Sequence, residues 1–344
     1  MSDNKTRQLG KTGLQVFPIG FGGIPIQRHE TKKAAEVVRE ALNKGINFID
    51  TARAYSDSEE KIGKALADFD KNVYLATKTP QESKKGALQD VDISLNKLGV
   101  NQIDIYQLHG VNDKENLKNV MAEDGALAGL KEAKKEGKIK HIGITGHNND
   151  ILLKALKTGE FATVQFCYNY IENECEEQLI NYCQKEDIGM IAMKPLAGGR
   201  LSNPSAALKY VLQTQGVVPD PGMETKEEVN ENIEIAKGTL QLNKKEKNII
   251  SKDKERLGTQ FCRRCDYCQP CPENISISTV LRAESFINRM PEEQVKDPEG
   301  WIRQAFNQAE NCTTCRQCVE RCPYNLPIPE LIKENKQIMN EFYG

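Results

Sequence analysis

Eight of the eleven cysteines fall in two runs near the C-terminus. CRRCDYCQPCP holds Cys262, Cys265, Cys268 and Cys271, and CTTCRQCVERCP holds Cys312, Cys315, Cys318 and Cys322. The second run has C-x2-C-x2-C-x3-C-P spacing, which sets three close thiolates on one [4Fe-4S] cluster and a fourth, before proline, on another. The first run is one residue shorter before its last cysteine, so its departure from the pattern falls on Cys271. Structural zinc is the alternative, since paired C-x2-C also binds zinc, but zinc sites seldom use a third cysteine at that spacing or a Cys-Pro ending. The order of the cysteines suggests crossed ligation by two clusters: Cys262, Cys265 and Cys268 with Cys322, and Cys312, Cys315 and Cys318 with Cys271. Cys167, Cys175 and Cys183 lack ligand spacing and read as core or helix residues.

A second set of reactive groups is spread through the first two thirds of the chain. Asp50, Lys78, His109, Thr145, Gln165 and Lys194 each lie at or just past the end of a short apolar run, with Tyr55, His147 and Asn169 close behind. Taken singly, such an aspartate is a helix cap, the lysine or tyrosine a surface residue and the histidine a core residue. An acid, a phenol, an ammonium and an imidazole brought to one place would make a proton-transfer site.

The elements that must bring them together alternate. Apolar residues at three- and four-residue spacing predict helices over 32–43, 59–66, 84–98, 126–136, 149–157, 174–185, 205–213 and 226–236. Between them stand INFI (46–49), VYLAT (73–77), IDIYQL (103–108), HIGIT (141–145), TVQF (163–166), GMIAM (189–193) and GVVP (216–219). A hairpin in RQLGKTGLQVFPIGFGG leads to a first strand expected to end near Gly20. Eight continuous apolar strands, each followed by a helix, predict a (β/α)8 barrel with its chemistry at the C-terminal strand ends. An open doubly wound sheet is the alternative, but no GxGxxG follows the first strand. The barrel is expected over 1–240, a connecting helix over 241–257 opened by an Asn243–Glu246 capping box, and a small helical, cluster-binding domain over 258–344. In that domain, helices are expected over 275–289, from an Asp297-Pro298 start, and over 328–342.

IDTARAYSDSE (49–59), LATKTP (75–80), IYQLHG (105–110), HIGITGHN (141–148), VQFCYN (164–169) and MKPLAGGRL (193–201) resemble segments of the aldo-keto reductase superfamily. The resemblance covers residues 5–236, and the tail is similar to that of a subgroup with a ferredoxin-like C-terminal domain. It implies a catalytic tetrad of Asp50, Tyr55, Lys78 and His109. Hydride reduction of a carbonyl leaves an alkoxide that needs a proton, and a phenol near pKa 10 is a sluggish donor. Lys78 is expected to lower the Tyr55 pKa, Asp50 to hold Lys78 charged, and His109 to orient the carbonyl. The resemblance also implies Thr145 and Gln165 at a nicotinamide carboxamide, with Tyr168 or Asn169 nearby. His147 could serve where Gly146 replaces an asparagine found in many relatives. Leu196, Gly198 and Gly199 would approach the pyrophosphate, and Gly222, Glu231 and Asn232 the adenosine end after PDPGMETKEEVNEN. Many NADPH-specific relatives carry a basic residue at Glu228 and Lys-Ser at Gly222-Met223. A carboxylate repels a ribose 2′-phosphate and Lys226 offsets it, so NADH or NADPH is expected, inclined to NADH.

With 47 Lys and Arg against 49 Asp and Glu, the net charge is −2 and no basic block stands ready for phosphates, which argues against nucleic acid. No run of 18 apolar residues predicts a membrane span, and a polar N-terminus with unpaired thiols suggests a cytoplasmic protein. The expected activity is NAD(P)H-linked reduction of a small carbonyl compound. Two alternatives stay open: ferredoxin or another carrier feeds the clusters, which reduce a substrate or flavin in the barrel, or the chain is a nicotinamide-binding redox sensor or electron-transfer module.

Overall fold

The computed structural model describes residues 6–344. The chain divides into two compact units, one running to Lys247 and the other Asn248–Gly344.

In the first unit a two-stranded hairpin, β1 (Arg7–Gln8) and β2 (Gln15–Val16), precedes eight parallel strands. These are β3 (Phe21–Gly22), β4 (Phe48–Asp50), β5 (Tyr74–Thr79), β6 (Ile103–Leu108), β7 (Ile139–Thr145), β8 (Thr163–Cys167), β9 (Gly189–Met193) and β10 (Val217–Pro219), paired in that order. Gly20 N–H donates to Pro219 O at 2.8 Å and Gly22 N–H to Pro221 O at 3.0 Å, which joins the first strand to the last and closes a (β/α)8 barrel. The seam needs small residues: a Cβ on Gly222 would lie 2.7 Å from Pro25 Cγ. The first barrel strand starts at Phe21, past the expected end near Gly20, because the preceding residues serve the hairpin and the seam.

Local sequence explains the helix boundaries. Ser83 Oγ caps Lys84–Leu98 by accepting from Gly86 N–H at 3.2 Å, and Gly99 ends it in the left-handed region at φ 67°. Thr225 and Glu228 form a reciprocal capping box on Lys226–Lys237, and Asn243 and Glu246 another, at 2.9 Å each way, on Lys244–Leu257. Within the long connection Gly110–Asp124, Asp113 caps a helix Lys114–Val120. The helix expected over 174–185 is a 3-10 turn Glu174–Glu176 followed by Leu179–Lys185. The Glu176 carboxylate is drawn off by the Tyr168 and Tyr210 hydroxyls at 2.6 and 2.7 Å.

The second unit packs Ile277–Val280, Ala283–Arg289, Glu292–Lys296, Trp301–Gln308 and Ile328–Tyr343 around Ile277, Val280, Ile302, Ile328 and Met339. The single helix expected over 275–289 breaks at Leu281–Arg282, where Asn335 Oδ1 accepts from Ala283 N–H at 3.1 Å and caps a new helix. Asp297-Pro298 opens no helix. Asp297 Oδ1 accepts from Glu299 N–H at 3.0 Å and its carbonyl from Gly300 N–H at 3.1 Å, a tight turn that delays the helix to Trp301. Among the described residues no helix is long and apolar enough to cross a membrane.

Candidate functional site

Parallel pairing puts the strand ends at one mouth, and there the barrel brings Asp50, Tyr55, Lys78 and His109 together. Lys78 is 1 % and Asp50 3 % exposed, a burial at which either charge alone would be costly. Lys78 Nζ reaches Asp50 Oδ2 and Thr51 O, each at 2.6 Å. It also lies 5.0 Å from the centre of the Tyr55 ring, near enough for its charge to act on the Tyr55 hydroxyl. His109 stands edge-on to Tyr55, ring centres 5.7 Å apart.

Burial alone would lower the Lys78 pKa, but Asp50 and the other nearby acidic groups outweigh it and the pKa is raised, so the ammonium persists. Burial pushes Tyr55 up to about 12 against the pull of Lys78. The expectation that Lys78 lowers this phenol holds for its own contribution, while desolvation wins the balance. Burial, with Lys78 and Lys194 adding to it, pushes the His109 imidazole down to about 3, so it is neutral at ordinary pH.

The nucleotide residues expected from sequence are only partly gathered. Thr145 Oγ1, at the end of β7, accepts from Gly110 N–H at 3.1 Å. His147 Nε2 lies 2.7 Å from Lys194 Nζ at the mouth. Gln165, inside β8, donates from Nε2 to Asp220 Oδ2 at 2.7 Å. Tyr168 turns away, its hydroxyl donating to Glu176 and meeting Thr214 at 2.8 Å. Asn169 is fully buried and shapes its own turn, accepting from Ile171 and Glu172 N–H and donating to Lys194 O. Leu196 leads into a turn where Gly198 and Gly199 take φ 77° and 87°, which glycine adopts without strain and which lets a backbone come close to a phosphate. Gly222 lies in the barrel seam. On Lys226–Lys237, Asn232 is buried and Glu231 exposed.

Two further polar residues belong to this site and were missed in the sequence. Gln107 and Asp220 are 0 % and 6 % exposed. Gln107 lies within the apolar run IDIYQL, and Asp220 within the PDPGMETKEEVNEN segment expected at the adenosine end. The available signal was spacing, since each stands two residues beyond an inward apolar residue, Ile105 and Val218.

In the C-terminal unit Cys262 and Cys322 each lie within electrostatic reach of Cys265 and Cys268, and Cys312, Cys315 and Cys318 form a second group. Cys271 lines one depression with the second group, and Cys268 of the first group lines it too. Arg264 and Asp266 in one loop, and Thr314 and Arg316 at matching places in the other, take left-handed backbone with φ 55–61°. Such alternation turns successive N–H groups inward and builds a nest for anionic sulfur. Burial pushes Cys262 up to about 11 and Cys268 to about 12, while Arg264 N–H donates to the Cys262 thiol and Tyr267 N–H to Cys265. Thiolates here need a cationic centre among them, which is the chemistry an iron–sulfur domain supplies.

Known proteins agree with both halves. A profile of the aldo/keto reductase family matches residues 18–206, and one described as a 4Fe-4S dicluster domain matches residues 261–327. An uncharacterised oxidoreductase of Schizosaccharomyces pombe is 32% identical over 258 residues, 66% of this chain and 82% of its own. L-galactose dehydrogenase of Arabidopsis thaliana is 30% identical over 59% of this chain and 68% of its own. Among solved structures, the holo form of aldo-keto reductase AKR11C1 from Bacillus halodurans superposes with TM-score 0.63 at 26% identity, covering 72% of this chain and 95% of that one. An aldo-keto reductase of Klebsiella pneumoniae, solved with NADPH, matches in fold with TM-score 0.62 at 23% identity, covering 72% and 94%. From the barrel, its family match and the cysteine-rich tail together, the chain is an oxidoreductase of the aldo/keto reductase family with a C-terminal 4Fe-4S dicluster domain.

Proposed function

We propose that the chain reduces an aldehyde or ketone with a nicotinamide nucleotide, Tyr55 donating the proton. The observation that carries this reading is the buried Lys78–Asp50 pair beneath the Tyr55 hydroxyl. When bound, nicotinamide would supply the hydride for the carbonyl carbon. The oxygen then becomes an alkoxide, a far stronger base than phenolate, so the Tyr55 hydroxyl gives up its proton downhill even from about 12. Lys78 stabilises the phenolate left behind, and Asp50 holds the ammonium in place. His109, held neutral, donates a hydrogen bond to the carbonyl oxygen and adds no competing charge. Gln165 and Thr145 would meet the carboxamide, the Leu196–Gly198–Gly199 turn the pyrophosphate, and the N-terminus of Lys226–Lys237 the adenosine phosphate side. The NADPH complex of the Klebsiella protein makes NADPH the first nucleotide to try beside NADH.

The eight cysteines of the tail are proposed to hold two [4Fe-4S] clusters in crossed fashion, Cys322 completing the first loop's set and Cys271 the second's. Such clusters exchange single electrons, whereas nicotinamide gives two as one hydride. The matched nests around the cysteines favour a redox role, with ferredoxin or a similar small carrier as partner.

The deciding experiment follows NADPH and NADH oxidation by cluster-loaded protein with a panel of aldehydes and ketones. Wild-type turnover that vanishes in Tyr55→Phe supports the reading; turnover that survives in Tyr55→Phe rejects it. Reoxidation of dithionite-reduced clusters by the same carbonyl compounds, without nucleotide, would instead support the carrier-fed route.

A further inference from the structure

Side chains fill a closed barrel in layers, each drawn from every second strand. Phe48, Ile105, Thr163 and Val218 stand at matching depth on β4, β6, β8 and β10, all fully buried. Two residues further along the same strands come Asp50, Gln107, Gln165 and, just past β10, Asp220. This upper layer is polar throughout and buried throughout. Gln107 Nε2 reaches Asp50 Oδ1 at 3.3 Å and Gln165 Oε1 at 3.4 Å, and Gln165 Nε2 donates to Asp220 Oδ2 at 2.7 Å. The Asp220 carboxyl also comes within hydrogen-bonding reach of the Asp50 carboxyl.

Besides Gln107 Oε1, which also meets no donor, two features of this layer do not close as they stand. Asp220 Oδ1 is buried and meets no donor, a condition that is costly for a buried polar group. The two buried carboxylates of this layer also face the single ammonium of Lys78, and like charges so placed do not both ionise. One proton resolves both. Carried by Asp220 and donated to Asp50, it leaves one negative charge facing one positive charge.

We propose that Asp220 and Asp50 share one proton, and that Asp220 is thereby a positioning residue that keeps the Lys78 ammonium available to Tyr55. The titratable groups facing Asp220 are Asp50 from β4, Tyr55 from the turn after it and Lys78 from β5. Burial and the Asp50 charge push Asp220 well above the ordinary carboxylate range, and an ionised Asp220 raises both Tyr55 and Lys78. Loss of the shared proton at high pH therefore makes Tyr55 a poorer acid. The kinetic consequence rests on Tyr55 as proton donor; the shared proton itself does not.

The test uses full-length, cluster-loaded protein in two measurements. The infrared difference spectrum between wild type and Asp220→Asn at neutral pH should contain the carbonyl stretch of a neutral carboxyl that the variant has lost. Its absence overturns the proposal whether or not the protein turns over. With NADPH and benzaldehyde, Asp220→Asn can still donate to Asp50 and accept from Gln165. Its kcat should fall about two- to threefold at neutral pH with KM unchanged, and the alkaline decline of the wild type should move to higher pH. Asp220→Leu, which can do neither, should lose about tenfold or more in kcat. Equal losses in both variants with an unaltered pH profile would make Asp220 a structural residue and overturn its positioning role. Should wild type reduce no carbonyl compound, the Tyr55 reading fails and the infrared band alone decides the shared proton.

Discussion

Lys78 Nζ sits 2.6 Å from Asp50 Oδ2 with both side chains out of water, so each depends on the other for its charge. Removing one partner of such a pair costs about 3–5 kcal/mol, because a lone buried charge remains. Lys78→Met should therefore lower both stability and turnover. Lys78→Met with Asp50→Leu should recover much of the stability but none of the turnover. Denaturant melts of the two variants beside their NADPH-linked rates separate these effects; equal stability in both would mean the pair is not coupled.

The neutral His109 imidazole makes stability depend on acid. Its pKa in the fold, about 3, lies below its ordinary value, so the unfolded chain takes up the proton first. The stabilisation is complete above pH 6.5 and is lost as pH falls from there toward about 3. His109→Gln should flatten the decline of the unfolding midpoint over that window. An unchanged slope would show that the imidazole is not held neutral.

Crossed ligation has a stoichiometric signature. Cys322→Ser and Cys271→Ser should each lower iron from about eight to about four per chain. Each should spare the other set's cluster in the electron paramagnetic resonance spectrum of the reduced protein. Loss of all iron in both variants, or none in either, would count against two independent clusters.

The capping box at Thr225 and Glu228 ties down the first turn of Lys226–Lys237. Thr225→Ala should cost about 1 kcal/mol and lower the thermal midpoint by roughly 2–4 °C. It should also raise KM for the nucleotide more than it changes kcat, since that turn is the proposed adenosine site. A kcat loss at constant KM would place the nucleotide elsewhere.

What was legible in the sequence was local. The capping boxes at Thr225–Glu228 and Asn243–Glu246 form as their spacing implies, because donor and acceptor lie three residues apart on one turn. Asp297-Pro298 looked equally like a helix start and is a turn, since the Asp297 side chain has a competing partner in Glu299 N–H. The helix expected over 275–289 was split by Asn335, 52 residues from Ala283, and no local pattern carries that information.

By itself the sequence determined the alternation of strands and helices and the cysteine spacing, and it nominated Asp50, Tyr55, Lys78 and His109 through family resemblance. Tertiary structure decided the balance of their charges. Tyr55 stands near 12 because burial outweighs Lys78, and burial of that kind exists only once the barrel has closed. Gln107 and Asp220 join Asp50 and Gln165 because closure at the Gly20–Pro219 seam brings alternate strands to one depth. Four residues separated by 170 positions in sequence, from Asp50 to Asp220, thereby become a single buried polar layer. Chain order cannot encode that meeting locally, because parallel pairing across a closed sheet, not spacing along the chain, sets which side chains share a level.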